Sequence, residues 1–117
     1  MVSVPNFTVH TRRTGAVQVL TPVGELDLAT APLLDSAFQA ALEDAAVETI
    51  FLDLTELSFI DLSAVTLLIS FSDSCRADDR LRIINGSDAV ARVLDLSGVR
   101  HRLPIFSGEW PPAPEPN

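Results

Sequence analysis

The chain has 117 residues, 47% of them hydrophobic, and a net charge of −8 at neutral pH, which fits one domain with its own core. The acidic balance excludes nucleic acid as a partner, because phosphates attract a basic surface, and leaves a protein as the expected partner. No apolar run reaches the roughly 18 residues needed to span a bilayer and no signal-like segment opens the chain, so we expect a cytoplasmic protein without direct membrane insertion.

The chain opens with the pattern of a β-hairpin. Residues 7–11 and 17–23 alternate apolar and polar side chains, and the intervening residues 12–15 are typical of a turn. Pro22 indicates a sheet edge or the end of a strand, since proline donates no backbone N–H to a neighbouring strand. An exposed edge there would allow a weak homodimer, and a monomer is the alternative.

A loop and a helix follow the hairpin. Residues 24–30 predict the loop, and the apolar positions after it recur at helical spacing over residues 31–44. Thr30 is a candidate N-cap of this first helix, and Pro32 falls in its first turn, where proline is tolerated.

The spacing of apolar residues changes at positions 61–63, and this change singles out Ser63. Residues 49–54 predict a central strand, whereas a second helix is predicted from Ser63 to about Arg76. The Ser63 hydroxyl would lie beside free N–H groups at the positive end of a helix, where an added phosphate is tolerated. The alternative is that Ser63 is a helix N-cap and nothing more.

The last part of the chain predicts two short strands around a third helix. Residues 81–84 indicate a buried strand and residues 103–106 a final one, while Ser87 is placed to cap the helix and Gly98 to end it.

From residue 108 the chain is rich in proline, which predicts a disordered tail. The folded domain is accordingly assigned to residues 1–107 and the tail to residues 108–117. Trp110 in that tail is read as part of the disordered end, with a small docking anchor as the alternative.

These elements predict an α/β fold in which a mixed sheet of four to five strands packs against three to four helices. Strands and helices alternate after the opening hairpin, and right-handed crossovers are expected between them.

No set of side chains predicts a metal site, a cofactor site or catalysis. Cys75 is the only cysteine and lies on the apolar face of the second helix, as a core residue would. His10 and His101 lie on separate elements, so neither is placed to form a ligand set or to activate Ser63 as in a hydrolase.

Three segments in order resemble the STAS domain of the anti-sigma factor antagonist family. They are Gly24-Glu-Leu-Asp27, then Leu52-Asp-Leu with Phe59-Ile-Asp61-Leu-Ser63, and finally the helix with its glycine stop from Val90 to Val99. The resemblance spans about Phe7 to Phe106.

The resemblance implies a partner-switching module in transcription regulation, including stress response. An unphosphorylated domain of this kind binds an anti-sigma factor that is also a serine kinase with an ATP-binding, histidine-kinase-like fold. Phosphorylation breaks the complex and a serine phosphatase restores it, while the domain itself catalyses nothing and needs no cofactor. The resemblance assigns the phosphoacceptor to Ser63. It places on the partner-binding surface Asp27, Leu28, Thr30, Asp61, Leu62 and Ala64.

The chain departs from the family pattern where Asp-Ser-Ser-Gly would be expected and Asp61-Leu62-Ser63-Ala64 stands instead. Leu62 removes the neighbouring hydroxyl and so leaves Ser63 as the acceptor. Ala64 gives the turn less backbone freedom than glycine would. The alternative function is therefore a non-phosphorylated STAS scaffold or a regulatory binding subunit of a sensory or membrane-transporter complex.

Overall fold

Six strands and three α-helices make up the part of the chain that the computed structural model describes, which is residues 2–4, 6–108 and 110. A short 3₁₀ helix follows the last α-helix. In chain order the elements are β1 (Val2–Val4), β2 (Phe7–Thr14), β3 (Val17–Leu26), α1 (Ala31–Glu43), β4 (Thr49–Asp53), β5 (Leu57–Ile60), α2 (Leu62–Ser74), β6 (Leu81–Ile84), α3 (Asp88–Leu96) and the 3₁₀ helix (Arg100–Arg102).

The strands form one mixed sheet, in the order β1-β2-β3-β4-β6, with β5 pairing to β3 beyond the end of β4. Pairing is antiparallel between β1 and β2 and between β2 and β3, and parallel between β3 and β4, β3 and β5, and β4 and β6. The predicted α/β fold with a mixed sheet and an opening hairpin is confirmed. The described sheet has one strand more than the four to five predicted.

Strand β3 runs farther than its sequence pattern indicates. Residues 24–26 were predicted as loop, but they extend β3 and pair with β5. Pro22 is buried inside β3 opposite Val9 of β2, so the prediction of a sheet edge or strand end at Pro22 is wrong. The proline is accommodated because β4 pairs only with residues 17–20 and β5 only with residues 24–26, which leaves a gap in pairing around residue 22.

The helices begin and end close to their predicted positions. Helix α3 agrees with the sequence, since the Ser87 hydroxyl accepts a hydrogen bond from the Val90 N–H and Gly98 has a φ of +68°. Helix α1 starts after Thr30, but the Thr30 side chain makes no capping hydrogen bond. Helix α2 is capped by Asp61 rather than by Ser63.

The main core lies between the sheet and the three helices. Phe38 of α1 and Phe71 of α2 stack with ring centroids 3.9 Å apart, and both are almost completely buried. Cys75 belongs to the same core, as predicted, and burial raises the pKa of its thiol.

The chain after the 3₁₀ helix crosses the other face of the sheet. Residues 103–106 contribute a single parallel bridge, Ile83 to Ile105, and not the predicted strand. Phe51 of β4 packs against Phe106 and Trp110, and the indole N–H of Trp110 lies 3.3 Å from Asp53 Oδ2. Most of the predicted tail, residues 111–117, lies outside the described residues, so the domain boundary stays a prediction.

Candidate functional site

The candidate site lies where β3 and β5 end side by side and α1 and α2 begin. These strands are parallel and Leu26 is opposite Ile60, so the chain leaves both strands at the same end of the sheet. Asp27 and Asp61 are the next residues in each case. A backbone hydrogen bond from the Asp61 N–H to the Leu26 carbonyl, at 3.2 Å, joins the two exits.

Asp61 organises the start of α2. Its Oδ1 accepts hydrogen bonds from the Ala64 N–H at 2.9 Å and from the Ser63 hydroxyl at 2.6 Å. Burial by itself raises the pKa of Asp61, but the hydrogen bonds from the Ser63 hydroxyl and the backbone N–H groups of Ala64, Leu28 and Ser63 outweigh it, so the net pKa is below the ordinary aspartate value. Asp61 is therefore an ionised N-cap at neutral pH.

Ser63 is the second residue of α2 and is half-buried. Its hydroxyl donates to Asp61 instead of pointing into the core. Leu62 beside it is 71% exposed, whereas Ala64 on the other side is completely buried.

The loop before α1 is held by its own side chains. Asp27 Oδ1 accepts from the N–H groups of Ala29 and Thr30, each at 3.0 Å, and the Thr30 hydroxyl donates to the Glu25 carbonyl at 2.9 Å. These bonds fix Leu28 at the tip of the loop, where it is 75% exposed. The bond from the Asp61 N–H to the Leu26 carbonyl ties the end of β3, just before this loop, to the start of α2.

The structure thus brings together most of the residues predicted for a partner-binding surface. We call Asp27, Leu28, Asp61, Leu62 and Ser63 the Ser63 surface. The other two predicted contact residues do not present side chains there, because Thr30 is only 8% exposed with its hydroxyl bonded internally and Ala64 faces the core. Thr30 and Ala64 shape the surface from beneath, and direct side-chain contact with a partner does not fit their positions.

The sequence reading missed Phe59, which is 48% exposed two positions before Asp61. It lies on β5 directly opposite Glu25 of β3. An aromatic residue between polar Ser58 and buried Ile60 was an available signal, but the segment resembled a turn because β5 is short and only its two ends are buried.

Neither histidine is near Ser63. His10 pairs with Thr21 within the β2–β3 hairpin, and His101 lies in the 3₁₀ helix. The 3₁₀ helix adjoins the far end of α2, since the Ser72 hydroxyl donates to the Arg102 carbonyl at 3.1 Å. The residues of a hydrolytic triad are therefore not assembled around Ser63.

Metal-binding clusters and membrane-spanning helices are both absent from the part of the chain that the structure describes. No cluster of three or more His, Cys, Asp or Glu side chains is arranged to hold a metal ion. Within the same residues no helix has both the length and the hydropathy needed to cross a bilayer.

Comparison with solved structures finds similar folds among anti-sigma factor antagonists. An anti-sigma factor antagonist from Mycobacterium paratuberculosis superimposes with a TM-score of 0.77 at 22% identity, over 92% of each chain. SpoIIAA of Bacillus superimposes in its unphosphorylated form with a TM-score of 0.68 at 26% identity, over 89% of each chain. Its phosphorylated form gives 0.63 at 25% identity, over 89% of this chain and 92% of that one.

A transporter contains a similar fold. The murine anion transporter Slc26a9 matches with a TM-score of 0.67 at 19% identity, over 84% of this chain and 17% of the transporter. Comparison with curated protein sequences finds no significant match. The family model of the STAS domain, however, matches residues 8–109, which is most of the chain. The protein therefore belongs to the STAS domain family.

Proposed function

We propose that this STAS domain is an anti-sigma factor antagonist whose binding is switched off by phosphorylation of Ser63. In its unphosphorylated state it binds an anti-sigma factor and so frees a sigma factor in the cytoplasm. The domain acts by binding alone, since the partner, a serine kinase with an ATP-binding, histidine-kinase-like fold, brings ATP, Mg²⁺ and the catalytic base. A serine phosphatase returns the domain to its binding state.

The observation that carries this proposal is the position of Ser63 on a surface that also carries exposed apolar side chains. Leu62 beside Ser63 and Leu28 at the tip of the loop before α1 are each more than two-thirds exposed, and the hydroxyl of the half-buried serine is 2.6 Å from Asp61. A surface of this kind gains free energy when a protein covers it. A phosphate placed at its centre would therefore lie inside the interface.

The Asp61 carboxylate explains how phosphorylation would act locally. Phosphorylation replaces the hydroxyl proton that Ser63 shares with Asp61 by a group carrying about −1.5 to −2 charges. Repulsion between that group and the ionised carboxylate turns the phosphate outward, toward the partner and its bound nucleotide. A loss of a few kcal/mol in binding dissociates most of a micromolar complex, because each 1.4 kcal/mol is about a factor of ten.

The test compares Ser63→Ala, Ser63→Asp and Ser70→Asp in pull-downs from the protein's own cells. We expect Ser63→Ala to hold the kinase constitutively and Ser63→Asp to lose it. Ser70 is an exposed serine farther along α2, so Ser70→Asp makes the same charge change away from the Ser63 surface and should bind like the wild type. Equal binding by Ser63→Ala and Ser63→Asp would contradict the proposal.

Mass spectrometry of the protein recovered from the same cells gives an independent result. A phosphopeptide at Ser63 is expected in at least one growth condition. Persistent absence of phosphate, with a stable partner still bound, would favour the second candidate function, a non-phosphorylated scaffold or regulatory subunit of a sensory or transporter complex. Leu62 and the buried Ala64, which stand where the family pattern has serine and glycine, are the residues that favour that candidate.

A further inference from the structure

We propose that the partner presents an apolar pocket bordered by arginine or lysine side chains, which receives Leu28, Phe59 and Leu62 of this domain. The inference depends on the proposed function only in taking the Ser63 surface as the place where the protein partner binds. It adds the chemistry of that partner and a third contact residue, Phe59.

Exposed large apolar side chains are concentrated at this end of the domain. Four such residues occur in the described part of the chain, and Leu28, Phe59 and Leu62 are three of them, at 75%, 48% and 71% exposure. Leu62 follows Asp61 and Phe59 precedes it by two positions, while Leu28 is two residues beyond Leu26, whose carbonyl accepts a hydrogen bond from the Asp61 N–H. The fourth, Leu96, is the last residue of α3 and belongs to a different element from the other three.

The charges around these side chains are negative. Glu25 lies directly opposite Phe59, and Asp27 precedes Leu28. None of these carboxylates is among the five ion pairs of the described residues, all of which involve other acids. With the ionised Asp61 they form an acidic rim, which we define as Glu25, Asp27 and Asp61.

The topology places most of the arginines away from this rim. Apart from the two histidines, arginine is the only basic residue type in the chain. Seven of the eight arginines lie at or near the opposite end, in the turn-side half of the β2–β3 hairpin, after α2, at the start of β6 and in the 3₁₀ helix. They are Arg12, Arg13, Arg76, Arg80, Arg82, Arg100 and Arg102. The eighth, Arg92, lies midway along α3. The domain is therefore electrostatically polarised, with its apolar contact residues at the negative end.

This arrangement distinguishes a basic protein from other occupants. Apolar side chains at the centre of an interface supply affinity when they are desolvated, whereas complementary charges around them speed association and exclude wrong partners. An anionic lipid surface would be repelled by the acidic rim, although the apolar side chains alone could enter it. An apolar pocket with a basic border would cover the apolar side chains and pair with the carboxylates around them.

The test uses the kinase that the Ser63→Ala protein retains, identified by mass spectrometry, purified, and titrated against variants of the full chain. We expect Leu62→Ala and Phe59→Ala each to weaken binding by about tenfold or more, as central interface residues do. Leu96→Ala removes an equally exposed leucine from another surface and should change the dissociation constant by less than about twofold.

Association kinetics test the charge of the pocket. Raising the salt concentration from about 50 mM to about 500 mM should slow association by about tenfold, because it screens the attraction between rim and pocket. Glu25→Gln should slow association at low salt and reduce that salt dependence. Glu48→Gln removes the same charge from an exposed position outside the rim and is the matched control.

The outcomes separate this inference from the proposed function. Wild-type binding by the Phe59 and Leu62 variants, or association that is faster in the rim variant, overturns the inference even if Ser63→Asp loses binding. Loss of binding in the apolar variants while Ser63→Asp binds normally supports the inference and overturns the phosphorylation switch. If the protein binds vesicles of phosphatidylserine and phosphatidylcholine and Leu62→Ala abolishes that binding, a membrane is the occupant and the inference is overturned. If Ser63→Ala retains no kinase at low salt, both the inference and the proposed function are overturned.

Discussion

The carboxylate of Asp61 makes two different hydrogen bonds. It caps α2 through the Ala64 N–H and holds the Ser63 hydroxyl at 2.6 Å. Because Asp61 is the cap, Ser63 can change its chemistry while the helix start keeps its hydrogen bond.

The role of Asp61 as a cap predicts a different stability for two substitutions. Asp61→Ala removes the acceptor and should cost about 0.5–2 kcal/mol in the free energy of unfolding, whereas Asp61→Asn retains a good capping group and should cost less at neutral pH. Urea unfolding followed by circular dichroism measures both. An alanine variant as stable as the asparagine variant would show that the cap contributes nothing.

The same pair of proteins also predicts a pH dependence. The folded state lowers the pKa of Asp61, so its ionised form stabilises the fold above the unfolded pKa of about 3.9, and that contribution is lost as the pH falls through the folded value. Asp61→Asn cannot lose it, so its stability should decline less than that of the wild type between about pH 6 and pH 3.

Gly24 is required by its surroundings at the bend of β3. Its φ is +112°, and a Cβ at this position would lie 2.0 Å from the Asn6 carbonyl oxygen. Gly24→Ala should therefore cost about 2 kcal/mol or more in the free energy of unfolding, through backbone strain and a forced shift of the backbone at Asn6. Gly15→Ala is the matched control, since Gly15 also has a positive φ of +60° but has no atom within 4 Å of such a Cβ. Similar losses for both variants would argue against the close approach at Asn6.

Among the elements, the three helices could be read from the chain and β5 could not. A helix of nine or more residues repeats its apolar positions several times, so the period is evident even where the ends are uncertain. Strand β5 has four residues, and its pairing with β3 is interrupted by a shift between Gly24 and Glu25. Its existence depends on the partner strand, which local sequence does not reveal.

The segment after the 3₁₀ helix is another element that depends on its surroundings. It packs on the helix-free face of the sheet around Phe51, which contacts Phe106 and Trp110, the nearer ring centroid being 4.9 Å away. Because Trp110 is the only tryptophan, its fluorescence reports on this contact alone.

We predict that Phe51→Leu shifts the tryptophan emission to longer wavelength and increases its quenching by acrylamide. The change removes two aromatic contacts, of which each is worth about 0.5–1.5 kcal/mol, while leaving an apolar residue on β4. Phe59→Leu makes the same exchange on β5 and should leave the emission unchanged. An emission spectrum that is unaffected by Phe51→Leu would contradict the packing of Trp110 on the sheet.

For the molecule as a whole, stability depends on one continuous core under three helices. Phe38 is completely buried and stacks on Phe71 of the neighbouring helix. Phe38→Ala should cost about 3–5 kcal/mol, a large part of the roughly 5–15 kcal/mol that stabilises a domain of this size. Thermal unfolding should show one cooperative transition at a lower midpoint, since the core is shared. Phe59→Ala, at an exposed position, is the control and should change the midpoint little.

The sequence by itself determined the fold class, the family resemblance, the start of α2 near Ser63 and the burial of Cys75, because apolar periodicity and ordered short motifs are local properties of a chain. Only the tertiary structure decided which residues share a surface. Parallel pairing of β3 with β5 brings Asp27 beside Asp61, turns Ala64 and Thr30 inward and leaves Phe59 exposed. The segregation of arginines from the acidic rim was likewise invisible along the chain, since residues distant in sequence meet at one end of a sheet only after their strands have paired.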